Sequence, residues 1–377
     1  MKFLADKAIP HVEEAFSTIG EIQLLPADKI TPDKLKGVDG LLVRTTTGIK
    51  PSLLKGSRIT FVGTATIGTD HIDLPSLAEN GIYLSSAPGC NATAVGEFVL
   101  TALLALEANI GISLQGKTLG IIGAGNTGNA VKQKAEAIGI RCLLNDPPLA
   151  EQSLNPEFID IADLVQQSDI ISLHVPLKRS GKYPTAHLLN EALFKQLKPG
   201  TIIINTSRGE AVDGNALKAN RSRLGGVILD VWENEPHIDP DLIPLIDIAS
   251  PHIAGYSIEG KIRATEMIYR DSCTFFDVPP VWDCQKALVS YGVPQLTISD
   301  RDQIPVDAIT RGYDIFEDDN SLRQFTQQDN PGEYFANLRN QYRFRREFSS
   351  FQVNVEQSLS IKNRRLLSRL GFHISDS

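Results

Sequence analysis

A chain of 377 residues that is 42% hydrophobic and 22% charged is too long for one compact core and too balanced for a disordered or fibrous protein, so two or three domains are expected. Its net charge of −8 argues against a general binder of nucleic acid, and Cys90, Cys142, Cys273 and Cys284 are too widely spaced for a disulfide framework or a thiolate metal site. Charged residues interrupt the amino end before a signal-peptide core can form, and the longest apolar run, 98–106, stops at Glu107. No membrane span, no metal and a cytoplasmic location are therefore expected.

Residues 1 to 90 alternate short apolar segments (3–5, 22–25, 41–43, 59–62 and 82–84) with helical or turn stretches, which is an α/β pattern. Two of these segments run into polar residues where such a sheet places its ligand: Arg44, Thr45 and Thr47 after the third, and Thr64, Thr66, Asp70 and His71 after the fourth. A long, largely apolar helix follows over 91–108 and crosses to the next domain.

The strand 118–122 then enters Gly123-x-Gly125-x-x-Gly128, and Val131, Ala135 and Ile138 recur at helical spacing before Gly139. Such a loop turns tightly, lets the backbone approach a pyrophosphate and aims helix N-terminal amides at it. Asp146 ends the next strand, 146 − 128 = 18 residues past the last glycine, where a carboxylate meets an adenosine ribose. Further strands are expected at 170–173, 201–205, 227–229 and 246–249, completing a doubly wound sheet. Three of them run into chemistry: Arg208, the acidic stretch Asp230 to Glu235, and His252.

Four motifs, Gly123 to Gly128, Asn205-Thr-Ser-Arg-Gly209, Asp230-Val-Trp-Glu-Asn-Glu-Pro236 and Pro251-His-Ile-Ala-Gly255, resemble the D-isomer-specific 2-hydroxyacid dehydrogenases in order and spacing. The stretches 43–47, 63–73, 86–92 and 256–261 resemble the branch of that family that acts on a phosphorylated acid in vitamin B6 synthesis. The likeness is strong over 1–280 and weaker beyond. The sequence departs from the pattern at Asn126 and Thr127 in the glycine loop and in a shortened loop at 221–225.

The resemblance implies a Rossmann NAD-binding domain (93–255) inserted in a discontinuous flavodoxin-like substrate or lid domain (1–92 and 256–282), with the active site between them. An α+β tail, 283–377, is implied to form a homodimer. NAD is the implied cofactor, with Gly123, Gly125, Asn126, Thr127, Gly128, Asp146, Val175, Thr206, Ser207, Arg208, Asp230 and Gly255 lining it. Arg208, Glu235 and His252 are the implied catalytic set: His252 is a base near working pH, Glu235 orients it, and Arg208 holds the substrate carboxylate. Glu233 is assigned a helix-flanking role. Thr45, Thr66 and Tyr256 are implied to touch the substrate, and Arg44 with its neighbouring threonine hydroxyls is expected to hold a phosphate.

His71 and His174 are read as structural or substrate-adjacent, and His11, His187, His237 and His373 as solvated. The tail should hold strands at 293–298 and 351–355 and helices at 306–316 and 334–342. Its arginines, 343, 345, 346, 364 and 365, are diluted by acidic neighbours, so self-association is favoured over nucleic acid. Two rival functions share the motifs: phosphoglycerate or broad D-2-hydroxyacid dehydrogenase, and a dinucleotide-sensing corepressor, whose usual disordered flanks are not expected here.

Overall fold

Contacts divide the chain of the computed structural model into two compact units, Met1–Asn91 with Ser257–Gly292, and Ala92–Tyr256 with Val293–Ser377. The structure describes all residues except 154–156, 300–302, 344, 356–358 and 376–377.

In the first unit β1 (Lys2–Asp6), β2 (Glu21–Leu25), β3 (Gly40–Val43), β4 (Phe61–Thr64) and β5 (Tyr83–Ser85) form a parallel sheet in the order β2-β1-β3-β4-β5, the flavodoxin-like doubly wound order. Both faces are covered, so the strands read as continuous apolar runs. Phe3, Leu42 and Phe61 face one layer with Phe16, Ile268 and Tyr269, while Leu4, Leu41, Val43 and Val62 face the other with Leu35 and Leu77. Ile268 and Tyr269 lie on the helix Ile258–Phe275, which places this late segment in the first unit. That helix starts two residues after the expected Tyr256. Ser257 caps it by accepting from the Gly260 amide at 2.9 Å, while the Tyr256 amide still belongs to the preceding turn, donating to Ile253 O at 2.7 Å. Residues 283–292 also pack here, through Cys284 and Ala287 against Ile258 and Ile262.

The second unit holds β6 (Thr118–Ile122), β7 (Arg141–Asn145), β8 (Ile170–Leu173), β9 (Ile202–Asn205), β10 (Gly226–Leu229) and β11 (Ile248–Ala249), all parallel, in the order β11-β10-β9-β8-β6-β7. A single parallel bridge, Leu144 to Phe158, extends the sheet beyond β7. Counting that residue as a vestigial strand, the order from this edge is the Rossmann 3-2-1-4-5-6 with one more strand after it. The helix Ala92–Ile110 is long and apolar enough to cross a membrane by composition, but Val95, Phe98, Leu103 and Leu106 are core residues of this unit.

The tail packs on the same unit. Its strands β12 (Gln295–Ile298), β13 (Gln352–Val355) and β14 (His373–Ile374) pair in parallel in that order. The arrangement is α/β rather than the expected α+β, because parallel neighbours need crossovers and the helix Ile361–Leu370 supplies the second one. The helix expected over 306–316 is two, Val306–Gly312 and Ile315–Arg323, broken where Asp314 caps the second by accepting from the Phe316 amide. This second helix covers the sheet edge. Asp319 accepts from the Ala249 amide at 2.8 Å, and Arg323 donates to Ile246 O at 2.8 Å.

Tail residues also reach the helices of the nucleotide-binding half. Glu97, fully buried, accepts from Lys134 Nζ at 3.1 Å and from the Phe348 amide at 3.0 Å. Burial pushes its carboxyl up to about 7, against the pull of Lys134. Arg345, also buried, donates to Ala94 O and Ala254 O at 2.7 and 2.8 Å and stacks on Tyr313. Arg343 binds Asp318 at 2.6 Å. These two of the five arginines in the expected basic patch are engaged within the fold.

Candidate active site

The glycine loop joins β6 to the helix Asn126–Ala137. Gly123 has φ +92°, and a Cβ there would meet His174 O at 2.4 Å; one on Gly128 would meet Gly123 O at 2.0 Å. Gly125, by contrast, faces open space, with nothing within 4 Å of a Cβ, and no side chain caps the helix that starts after it. Amides without a protein cap beside an open, Cβ-free surface fit a pyrophosphate. Asp146 stands at the end of β7, its Oδ2 accepting from the Ala124 amide at 2.9 Å and its Oδ1 from the Leu149 amide at 3.2 Å. Those bonds fix the carboxylate next to the loop and leave each oxygen a further lone pair, as a ribose diol requires. Val175 flanks the loop, its Cγ1 3.0 Å from the Cβ position of Gly123.

His174 is half-buried and its ring bonds Ser172 Oγ at 2.8 Å and Thr206 Oγ1 at 3.2 Å. Burial drives it down to about 3, so it is a neutral structural group behind the loop.

Three strand ends carry the remaining chemistry. After β9, Asn205 organises the turn: its Oδ1 accepts from the Ser207 amide and hydroxyl, and its Nδ2 donates to Arg208 O at 2.8 Å. Gly209 follows because a Cβ there would lie 1.9 Å from Trp232 C; only glycine lets this loop touch the one after β10.

After β10, Asp230 is 1% exposed and is the anchor of the next turn. Its Oδ1 accepts from Ser250 Oγ at 2.6 Å and the Ile253 amide at 2.7 Å, its Oδ2 from the Ala254 amide at 3.0 Å, and its backbone O from the His252 amide at 2.6 Å. These bonds hold His252 in a left-handed conformation, φ +59°, that a non-glycine residue adopts only when its surroundings impose it.

His252 Nδ1 lies 2.7 Å from Glu235 Oε2, and Glu235 Oε1 accepts from the Trp232 amide at 2.9 Å. Burial raises the Glu235 carboxyl, but His252, Arg339 and the Trp232 amide outweigh it and hold the carboxyl below its ordinary value. Glu233 points elsewhere, accepting from the Gly214 amide at the start of a helix and pairing with His187 at 2.7 Å. A carboxylate fixed on Nδ1 sets the tautomer that leaves Nε2 to exchange a proton with substrate.

In the first unit Arg44 Nε donates to the buried Asp6 at 2.9 Å, which orients the guanidinium at the end of β3. Thr66 Oγ1 bonds Thr64 Oγ1 at 2.8 Å and donates to Gly68 O, and Thr64 also meets His71 Nε2 at 3.1 Å. Thr45 is exposed, whereas Thr47 is 5% exposed and its hydroxyl is buried without a protein partner. His11, expected in solvent, is instead held between Glu14 at 2.9 Å and Tyr291 at 3.2 Å.

Sequence reasoning missed two contributors. Lys261, in the first turn of the helix Ile258–Phe275, is lowered by burial and by the nearby Arg44, so a second cation stands by that strand end. The other is a tail group, Arg339, 3.7 Å from Glu235 Oε2, with Tyr342 stacked edge-on against Tyr256 beside it in sequence. No local pattern marks residues so distant in the chain as neighbours of the histidine.

The fold and this arrangement define a dinucleotide-dependent dehydrogenase of the 2-hydroxyacid class. Residues 101–254 match the family described as D-isomer specific 2-hydroxyacid dehydrogenase, NAD binding domain, and residues 295–371 match a domain of unknown function. The erythronate-4-phosphate dehydrogenase of Shewanella sp. (strain MR-4) is 41% identical over 378 residues, covering 99% of each chain. That of Shewanella loihica is 41% identical over 94% of each.

Among solved structures, a D-lactate dehydrogenase from Aquifex aeolicus, complexed with NAD and lactic acid, is similar with a TM-score of 0.59 at 25% identity, over 74% of this chain and 96% of its own. A cofactor (NAD+)-bound 3-phosphoglycerate dehydrogenase from Entamoeba histolytica is similar with a TM-score of 0.63 at 25% identity, over 74% and 95%. The chain belongs to the erythronate-4-phosphate dehydrogenases, within the D-isomer-specific 2-hydroxyacid dehydrogenase family.

Proposed function

We propose that this protein oxidises the C2 hydroxyl of 4-phospho-D-erythronate to (R)-3-hydroxy-2-oxo-4-phosphooxybutanoate with NAD, as a cytoplasmic homodimer serving vitamin B6 synthesis. The observation that carries the reading is the 2.7 Å pair of His252 and Glu235 on the loops following β10 and β11, in the same unit as the open glycine loop. Bound NAD supplies the hydride acceptor. The amides from Gly123 to Gly128, with Asn126 and Thr127, would hold its pyrophosphate, and Asp146 its adenosine ribose. Val175, Thr206, Ser207, Asp230 and Gly255 would line the rest.

In oxidation, His252 Nε2 takes the hydroxyl proton as the hydride leaves C2, and Glu235 stabilises the imidazolium that forms. Arg208 binds the substrate carboxylate and the developing carbonyl oxygen with a planar fork. Tyr256, Thr45 and Thr66 contact the substrate. Arg44, oriented by Asp6, and Lys261 meet its phosphate; two neighbouring cations are stabilised by an anion between them. Self-association through the tail is supported by Val293 and Ile361, large apolar side chains that are 61% and 72% exposed.

The test is NADH formation from 4-phospho-D-erythronate. The wild type should turn over and His252→Ala should lose at least a thousandfold in kcat, with the fold intact by circular dichroism. Turnover that survives in His252→Ala would remove the histidine from the chemistry.

A further inference from the structure

The tail of this chain, whose family carries no assigned function, packs one helix directly over the loop that bears Glu235. The helix Pro331–Asn340 is seated by two contacts. Phe335 is fully buried in the same apolar cluster as Trp232 and Ile238, and Gly332 lies against the exposed His237 ring, where a Cβ would come within 2.5 Å of Cε1 and push the imidazole aside. With its start against His237 and its middle in that cluster, the helix ends its last turn with Arg339 Nη1 3.7 Å from Glu235 Oε2. The pair is mostly enclosed, at 25% and 17% side-chain exposure, and Glu235 is the carboxylate that faces this guanidinium among the described residues. Behind it, Tyr342 packs on Tyr256 and Arg345 holds Ala254 O, so the tail also braces the segment that follows His252.

We propose that Arg339 is a positioning residue for proton transfer: it keeps Glu235 ionised and aimed at His252, making the tail a working part of the catalytic unit as well as a surface for association. This rests on the dehydrogenase reading above only for the consequence in turnover. The charged and titratable groups packed around the pair are accounted for as follows. Asp230 is spent on Ser250, Ile253 and Ala254. Glu233 pairs with His187, His237 lies under Gly332, Arg343 is bound to Asp318, and Arg208 stands on the loop after β9. Arg339 is thus the cation placed against the outer face of Glu235. A positive charge there favours the carboxylate, and its removal would leave the ring beside a carboxylate that no second cation offsets.

Arg339→Gln, Arg339→Met and Arg339→Lys separate charge from packing in the full-length protein. The acidic limb of kcat/KM for oxidation should move upward by roughly half a pH unit or more in both neutral variants and return toward the wild-type position in Arg339→Lys. The Cε1 proton of His252, assigned through His252→Gln, should show the same upward shift by NMR without substrate. That measurement stands even if the substrate assignment fails. Lower turnover at every pH with the limb and the NMR titration unmoved would reduce Arg339 to a packing residue and overturn the proposal. So would a downward shift.

Discussion

Asp230→Ala tests whether the turn holding His252 is built by one buried carboxylate. The substitution removes the acceptor for Ser250 Oγ and for the amides of Ile253 and Ala254, residues that are 0% and 1% exposed. Two buried amides left unsatisfied cost about 1 to 3 kcal/mol each. The left-handed backbone at His252, φ +59°, loses part of what imposes it. The expected loss is about 3 to 6 kcal/mol, and for a unit of this size each kcal/mol lowers Tm by roughly 2 to 4 °C. Thermal melts followed by circular dichroism should therefore drop by roughly 6 to 24 °C, and kcat should fall at least a hundredfold because the ring no longer has one orientation. Asp230→Asn, which keeps one acceptor oxygen, should land between. A melt within 2 °C of wild type, with kcat within about twofold, would refute the anchoring argument.

Gly125→Ala should leave the melt unchanged, because its Cβ meets nothing, yet weaken NAD binding by at least tenfold in calorimetry, whereas Gly128→Ala should destabilise the fold itself through the 2.0 Å clash with Gly123 O. Two groups shifted by desolvation give opposite pH dependences. His174, at about 3 folded against 6.5 unfolded, contributes stability that is present above 6.5 and lost as pH falls. Glu97, at about 7 folded against 4.5 unfolded, contributes stability that is present below 4.5 and lost as pH rises to about 7. Urea unfolding should show His174→Gln losing about 2 kcal/mol less than wild type between pH 6.5 and 5, and Glu97→Gln removing a decline over 5 to 7. Arg44→Ala should cut kcat/KM for the phosphorylated substrate far more than for unphosphorylated erythronate; equal losses would assign Arg44 to the carboxylate instead. Asp146 should make NAD preferred over NADP by a large factor in initial rates, since a 2′-phosphate would face a carboxylate.

The parts of this protein written in local pattern were legible. β3, β4, β8 and β9 are buried on both faces and read as unbroken apolar runs, and Gly123 and Gly128 are tied to their turn by backbone clashes that forbid other residues. Glu235 could be preferred to Glu233 only through the family motif; composition does not separate two carboxylates two residues apart, and the choice is made by which one faces His252. The tail was less legible. Its strands and helices have ordinary periodicity, but parallel pairing of β13 with β14 and the docking of Arg339 on Glu235 depend on contacts between distant segments. Thr47 shows a further limit of pattern: a hydroxyl at a strand end looks exposed in sequence, whereas here it is buried.

The central claim is that this chain dehydrogenates a phosphorylated 2-hydroxy acid with NAD. Its most direct test is a side-by-side measurement of kcat/KM with NAD for 4-phospho-D-erythronate, 3-phosphoglycerate, D-lactate and unphosphorylated erythronate, using one preparation of the full chain. The account predicts that 4-phospho-D-erythronate leads every other compound by at least a hundredfold, and that the same compound with NADP is poor. Equal or better turnover of 3-phosphoglycerate or D-lactate would contradict it.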